Sequence, residues 1–349
     1  MPKSILRKQW AQNPFRVRAA KLICICLLSV AGARSQQVYI RPGKVWNDQS
    51  GRPINAHGGG ILLFEGRYYW YGEIKSGPTW RVPDIKSWED YRVNAGGISC
   101  YSSVDLIHWT YEGNALAPDR KDSANDLYAG RVIERPKVIY NRTTQQFVMW
   151  MHIDRADYGF ARAGVAVSQR PEGPFRYLHS IRPNGQMARD LTLFQDDDRK
   201  AYLVYASENN LTMEICLLSA DYLDPTDQYH RILINAHREA PALFKYGKKY
   251  FLISSLCTGW DPNEPLYAEA DSLFGTWTIR DNPCRGPDAD SGYHAQVNFV
   301  LPVEGKSNRF IFMADRWVKT NLSDSRYVWL PLQMEEGKPV VVWKDAWIP

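Results

Sequence analysis

Arg238-Glu239-Ala240-Pro241-Ala242-Leu243-Phe244-Lys245-Tyr246-Gly247-Lys248-Lys249-Tyr250-Phe251-Leu252-Ile253 decides the fold. A carboxylate precedes a short apolar run, a Gly-Lys turn follows, and an aromatic-rich second run answers it. The same order is written at Glu134-Arg135-Pro136-Lys137-Val138-Ile139-Tyr140 with Phe147-Val148-Met149-Trp150. It returns at Arg189-Asp190-Leu191-Thr192-Leu193-Phe194 with Ala201 to Tyr205, and at His57 to Phe64 with Tyr68-Tyr69-Trp70-Tyr71. The last copy is His294-Ala295-Gln296-Val297-Asn298-Phe299-Val300 with Phe310-Ile311-Phe312-Met313. Each copy reads as a hairpin of β-branched and aromatic residues around a turn.

The copies open near residues 57, 134, 190, 239 and 294, and the later gaps approach the ~40–50 residues of a four-stranded propeller blade. Further strand-like runs lie between them, at 97–102, 163–168, 213–218, 265–270 and 327–332. The first gap is longer, and 74–94, with Trp80, Trp88 and Tyr91, reads as an inserted loop. The expected fold is all-β, a five-bladed β-propeller spanning residues 36–349 as one domain. Blades of such a fold stand radially around a channel. With the first strand of each blade innermost, His57, Glu134, Asp190, Glu239 and Gln296 ring one mouth of that channel. The polar strand exits, with Glu73, Tyr158, Asn209, Thr258, Trp260 and Trp317, face the same mouth. Glu73 reads equally as a sugar-hydroxyl acceptor or as a solvated strand end. Trp109, Phe175, Phe274 and Trp277 sit at equivalent turns and are expected in blade cores, as are Trp329, Trp343 and Trp347.

The net charge of +5 is misleading. Residues 1–34 hold seven of the 43 basic residues and no acid, leaving 36 basic against 38 acidic. That near-neutral balance argues against a nucleic-acid partner. The apolar run 22–33 follows the basic stretch and ends in small residues, the pattern of a secretory signal peptide. It is too short for a membrane span, which needs ~20 residues. Residues 1–35 are therefore expected to be a leader, and the chain a secreted or periplasmic monomer. Cys24 and Cys26 lack the preceding small residues of a lipid-anchored cysteine. Cys100, Cys216, Cys257 and Cys284 are widely spaced, which argues against a zinc site. The first three read as buried thiols, and a disulfide pair cannot be chosen. Asn55-Ala56-His57-Gly58-Gly59-Gly60 lacks the Lys-Ser/Thr and helix of a phosphate loop, so its glycines are read as letting backbone approach the axis. Asp196-Asp197-Asp198 lacks the rest of a calcium-loop spacing and reads as a turn. No cofactor is required on this reading; a structural calcium is possible but not indicated, and a metal in the central channel is left open.

Three carboxyl groups in one pocket raise the pKa of one among them. Glycoside hydrolysis needs such an acid. Glu239 is the candidate general acid, with Asp190 holding it from the next blade and Glu134 or Gln296 holding water. The alternative is that these acids only neutralise Arg135, Arg189 and Arg238 beside them. The chain resembles glycoside hydrolase family 43, carried by Arg189-Asp190-Leu191-Thr192-Leu193-Phe194-Gln195-Asp196-Asp197-Asp198 and Arg238-Glu239-Ala240-Pro241. The resemblance implies a five-bladed propeller acting on plant polysaccharides, with Glu239 as acid and Asp190 tuning it. The family's Asp base at the first strand is missing here, where His57-Gly58-Gly59-Gly60 stands. Asn55 to Gly60, Tyr69-Trp70-Tyr71-Gly72-Glu73, Glu134 to Val138 and Gln296 are similar to the exo-β-1,3-galactanase subgroup, which lacks that Asp. That resemblance implies galactose contacts at Glu73, Glu134, Tyr158, Asp190 and Thr258, and a base role for Gln296 as an imidic acid. The expected function is inverting release of galactose from β-1,3-galactan. The alternatives are an α-L-arabinofuranosidase or β-xylosidase of the same family, and a carbohydrate-binding propeller without turnover.

Overall fold

Each repeated stretch becomes the inner hairpin of an antiparallel sheet. The computed structural model describes residues 38–83, 91–306 and 308–349. The expected leader, with Cys24 and Cys26, and Trp88 of the insertion lie outside the described residues.

Blade one runs His57–Phe64, Arg67–Lys75, Ala95–Ser103, Thr110–Leu116 from the axis outward. Blade two runs Val132–Asn141, Gln146–Asp154, Arg162–Ser168, Arg176–Ile181. Blade three runs Leu191–Gln195, Ala201–Ser207, Thr212–Leu218, Pro225–Ile232. Blade four runs Arg238–Tyr246, Lys249–Leu256, Leu266–Ala270, Thr278–Ile279. Blade five runs Gln296–Pro302, Arg309–Arg316, Arg326–Glu335, Lys338–Val342, and the short strand Cys284–Arg285 adds in parallel at its outer edge. Inner strands of neighbouring blades lie against one another, and the fifth lies against the first, which closes the ring.

The inner strands are buried on both faces because a blade is sandwiched between its neighbours. They therefore read as near-continuous apolar runs, as in Gln146–Asp154. Outer strands alternate, as in Thr110–Leu116. Five apolar clusters fill the seams between successive blades. The seam from blade five to blade one is made of indoles: Trp70 lies 4.6 Å from Trp329 and 5.3 Å from Trp109 between ring centroids, and Trp46 lies 5.0 Å from Trp329. An isolated bridge between Ile40 and Trp347 adds to this closure.

Trp109, Phe175 and Trp329 are buried as expected from the sequence. Trp277, Trp343 and Trp347 are only partly buried, at the edges of their clusters, and Phe274 is exposed at its turn. The four described cysteines are free thiols; Cys257 is only partly covered, since it lies past the end of its strand. Asp196 and Asp197 form a turn paired with Lys245 at 2.5 and 2.8 Å. Among the described residues no helix is long and apolar enough to cross a membrane.

Candidate active site

The ring of strand starts is bent into the channel mouth by β-bulges. The ladder slips between His57 and Gly60, between Glu134 and Lys137, between Glu239 and Ala242, and between Val297 and Phe299. A bulge re-aims the side chain beside it. Left-handed backbone marks three of the four, at Gly58 (φ 60°), Arg135 (φ 56°) and Ala240 (φ 53°). Glu134 and Glu239 each stand immediately before such a residue, and a proline follows it in both. Gly59 shows how close the backbones run: a Cβ there would sit 1.7 Å from the Tyr71 carbonyl oxygen.

A cavity results, lined by Glu73, Glu134, Arg135, His152, Tyr158, Arg189, Asp190, Asn210, Glu239, Gly259, Trp260, Gln296 and Trp317. Gln296 is its hub. Its Nε2 donates to Glu239 Oε1 (2.8 Å) and Ser255 Oγ (3.1 Å). Its Oε1 accepts from Arg135 Nη2 (2.7 Å) and Trp317 Nε1 (3.0 Å). These partners fix the amide orientation, because the flipped amide would face two donors with its own N–H groups. Asn210 Nδ2 donates to the other oxygen of Glu239 at 3.1 Å. Asp190 pairs with Arg135 Nη2 at 2.8 Å and accepts the Ala240 N–H at 3.0 Å, so it holds the residue next to Glu239.

On the opposite side, Tyr158 donates its hydroxyl proton to Glu134, 3.2 Å from both oxygens. Lys75 Nζ stands 2.6 Å from Glu73 and 3.4 Å from Glu134. His152 lies 3.6 Å from Glu134 and 2.9 Å from Asp154. Burial works against a charged His152, but Asp154 and Glu134 outweigh it and push the imidazole up to about 9. Burial likewise works to raise Glu134, and Lys75, His152 and Arg135 together hold it well below the usual carboxylate range. Glu73 goes the other way: burial outweighs Lys75, the Glu134 charge adds to it, and the carboxyl rises to about 7. Beneath them, burial and the Arg135 charge push Lys137 down to about 7, with its Nζ donating to the Gly58 carbonyl at 2.9 Å.

Glu134, His152 and Asp190 each bring one ligand-type atom within 4.8 Å of the others. Within this set Arg135 already pairs with Asp190, and Lys75 and Tyr158 already meet Glu134.

Of the residues expected from the sequence, Glu73, Glu134, Tyr158, Asp190, Glu239, Trp260, Gln296 and Trp317 meet at this cavity. Three do not line it. His57 is turned by its bulge into the seam with blade five, where Nδ1 meets Asp315 at 2.8 Å and the ring stacks on Tyr327. Asn209 lies one residue away from the lining and accepts from Arg189 at 3.2 Å, while Asn210 takes its place. Thr258 spends its hydroxyl on its own loop, donating to the Asp261 carbonyl at 2.6 Å. Of the three neighbouring arginines, Arg135 does pair with an acid of the ring, whereas Arg238 donates to Ser254 and Arg189 to the Tyr158 carbonyl. Lys75, His152 and Asn210 were not picked out as site residues. Glu73 and Lys75 stand two apart on one strand, hence on one face, and that spacing was a readable sign.

The glycosyl hydrolases family 43 profile matches residues 61–285. The chain belongs to glycoside hydrolase family 43. Its fold is similar to that of a family 43 β-1,3-galactosidase solved with galactodeoxynojirimycin, with 42% identity over 89% of this chain and 100% of that one, and a TM-score of 0.82. The exo-β-1,3-galactanase of Phanerochaete chrysosporium, solved with galactose, is 37% identical over 89% of this chain and 68% of its own, with a TM-score of 0.79. That of Clostridium thermocellum is 36% identical over 89% and 66%, with a TM-score of 0.77. The chain thus spans about two thirds of the length of these last two. No curated protein matches. The family 43 protein described here is a glycosidase with a five-bladed propeller fold.

Proposed function

We propose that this enzyme releases galactose from the non-reducing end of β-1,3-galactan with inversion, and that Glu239 is its general acid. One observation carries the assignment of the acid. Glu134 and Asp190 each stand against a cation, which favours their ionised forms, and the amides of Gln296 and Asn210 each donate to one oxygen of Glu239. These donors fix the direction in which the Glu239 carboxyl meets the leaving oxygen, which a proton transfer needs first. Asp190 positions Glu239 through the Ala240 N–H. Glu73, Glu134 and Tyr158 supply acceptors and a donor for sugar hydroxyls, and Trp260 and Trp317 wall the ring.

Gln296 holds the acid, and it takes the attacking water when one of the two donors on its Oε1 gives way. Two donors already point at its Oε1, which favours the amide over a tautomer with a proton on that oxygen. The same partners support inversion: Glu134 is bound by Lys75, His152 and Tyr158, and Gln296 offers no carboxylate to form a glycosyl-enzyme. The galactanase names of the similar structures support galactose as the sugar. The reading further takes the enzyme to act as a secreted or periplasmic monomer without a cofactor, with the leader at 1–35 directing export.

The test is product analysis on β-1,3-galactan, arabinan and xylan with the wild type and Glu239→Gln. Galactose alone, from galactan alone, is expected, with kcat lowered about 10²–10⁴-fold in Glu239→Gln. Arabinose or xylose as product would replace the sugar assignment. Galactan bound but never cleaved would leave a binding propeller.

A further inference from the structure

Lys75 ends the second strand of blade one and is 5% exposed. It stands behind the cavity wall rather than in it. Asn55 clamps its backbone from both sides, donating to the Lys75 carbonyl at 2.8 Å and accepting the Lys75 N–H at 2.9 Å. From that fixed point the ammonium reaches four cavity-lining side chains. It lies 2.6 Å from Glu73 and 3.4 Å from Glu134, and 4.9 Å and 5.5 Å from the ring centroids of Trp260 and Trp317. A buried cation gains from carboxylates and from aromatic faces together. Here one Lys joins two acceptors of blades one and two to indoles of blades four and five.

We propose that Lys75 is a positioning residue for sugar recognition, holding the Glu73 and Glu134 carboxylates side by side so that both accept hydroxyls of one ring. This rests on the galactosidase reading for the identity of the sugar. Without a shared cation, two buried carboxylates repel, and one takes a proton and ceases to be an ionic acceptor. Glu73 is the one that does so. Glu134 keeps His152 and Tyr158, whereas Glu73 faces Lys75, Glu134 and Arg135, with Lys137 further along blade two. Arg92 and Arg131 line the small space behind Lys75. With Lys75 present the Glu73 carboxyl already stands at about 7, so its charge state is sensitive to that one neighbour.

The experiment measures KM and kcat on β-1,3-galactobiose from pH 5 to 9 for the wild type, Lys75→Met, Lys75→Arg, Glu73→Gln and the Glu73→Gln/Lys75→Met double variant. In Lys75→Met the KM at pH 7 is expected to rise about tenfold, the size of one lost hydrogen bond to a charged group. Its kcat should change far less, and the pH at which KM climbs should move upward. Lys75→Arg should restore most of the KM. The double variant should show no such pH movement, since the titrating group is gone, and its balanced charge protects folding. An equal loss at every pH in Lys75→Met, or the same pH movement in the double variant, overturns the proposal. A wild type inactive on galactobiose would defeat the substrate assignment instead. The claim about Lys75 would then be decided without substrate, by whether Lys75→Met shifts the carboxyl titration seen in infrared difference spectra between Glu73 and Glu73→Gln proteins.

Discussion

At the residue scale, Glu239 accepts at both oxygens from the amides of Gln296 and Asn210, while Glu134 and Asp190 meet Lys75 and Arg135. The glycine beside the ring makes a second residue-scale claim testable. Gly58 has φ 60°, and a Cβ there would lie 2.2 Å from Glu73 Oε1. Gly58→Ala should cost ~1–2 kcal/mol for the left-handed backbone. It should also raise KM by displacing Glu73; thermal denaturation and kinetics check the two effects separately, and an unchanged KM would mean that Glu73 does not touch the sugar. The acids of the ring were legible because each opens a repeated hairpin: Glu134, Asp190 and Glu239 stand at the same place in the repeat. Lys75 and His152 were not picked out as part of the site. They sit on second strands past the repeated aromatic run, and their roles come from contacts the repeat does not show: Lys75 reaches Glu134 of the next blade, and His152 meets Glu134 on the strand beside it. His57 was read correctly as the opening of a repeat but turns away from the cavity, because its bulge gives Asp315 the ring nitrogen.

The bulges do most of the work at the scale of the element. Alternation along a strand predicts which face a residue takes, and a bulge resets that count. Asn209 and Asn210 show the limit. Glu208, Asn209 and Asn210 all have left-handed backbone, with φ 51°, 56° and 64°, so period-two reasoning could not say which amide faces the cavity. The insertion was legible as an excess of residues in the first gap, but not its fastening. Arg92 donates to the Ala156 carbonyl of blade two, the Leu322 N–H donates to Thr79, and Trp260 Nε1 donates to the Tyr91 carbonyl at 3.0 Å. Trp260→Phe keeps an aromatic wall and removes that last tie. A lost hydrogen bond of ~0.5–1.5 kcal/mol predicts a KM raised ~2–10-fold with kcat little changed. A KM equal to that of the wild type would show that the tie does not shape the cavity.

For the whole molecule, the ring of five blades was readable from spacing and hairpin pattern, whereas the closing seam of Trp46, Trp70, Trp109 and Trp329 was not, since its residues come from both ends of the chain. The buried charges of the channel also act at this scale, on stability. His152, raised from 6.5 to about 9, contributes stability that is full below pH 6.5 and lost as pH rises through 9. Lys137, lowered from 10.5 to about 7, has the opposite sign: its cost is present below pH 7 and is relieved as pH rises toward 10.5. Between pH 7 and 9 the two offset. Lys137→Met should therefore expose the His152 slope, a fall of about 1.4 kcal/mol per pH unit, where the wild type stays flatter. Urea denaturation across that range reads the difference, and equal slopes would contradict the assignment of these charges.

The most direct test of the central claim is proton NMR of the first sugar released from β-1,3-galactan by the wild-type enzyme, recorded before mutarotation. The account predicts α-galactose as the initial product, from a β-linked terminus, with the signal gone in Glu239→Gln. Initial β-galactose would show retention and require a carboxylate nucleophile in place of water held by Gln296. Undiminished release by Glu239→Gln would remove Glu239 as the acid.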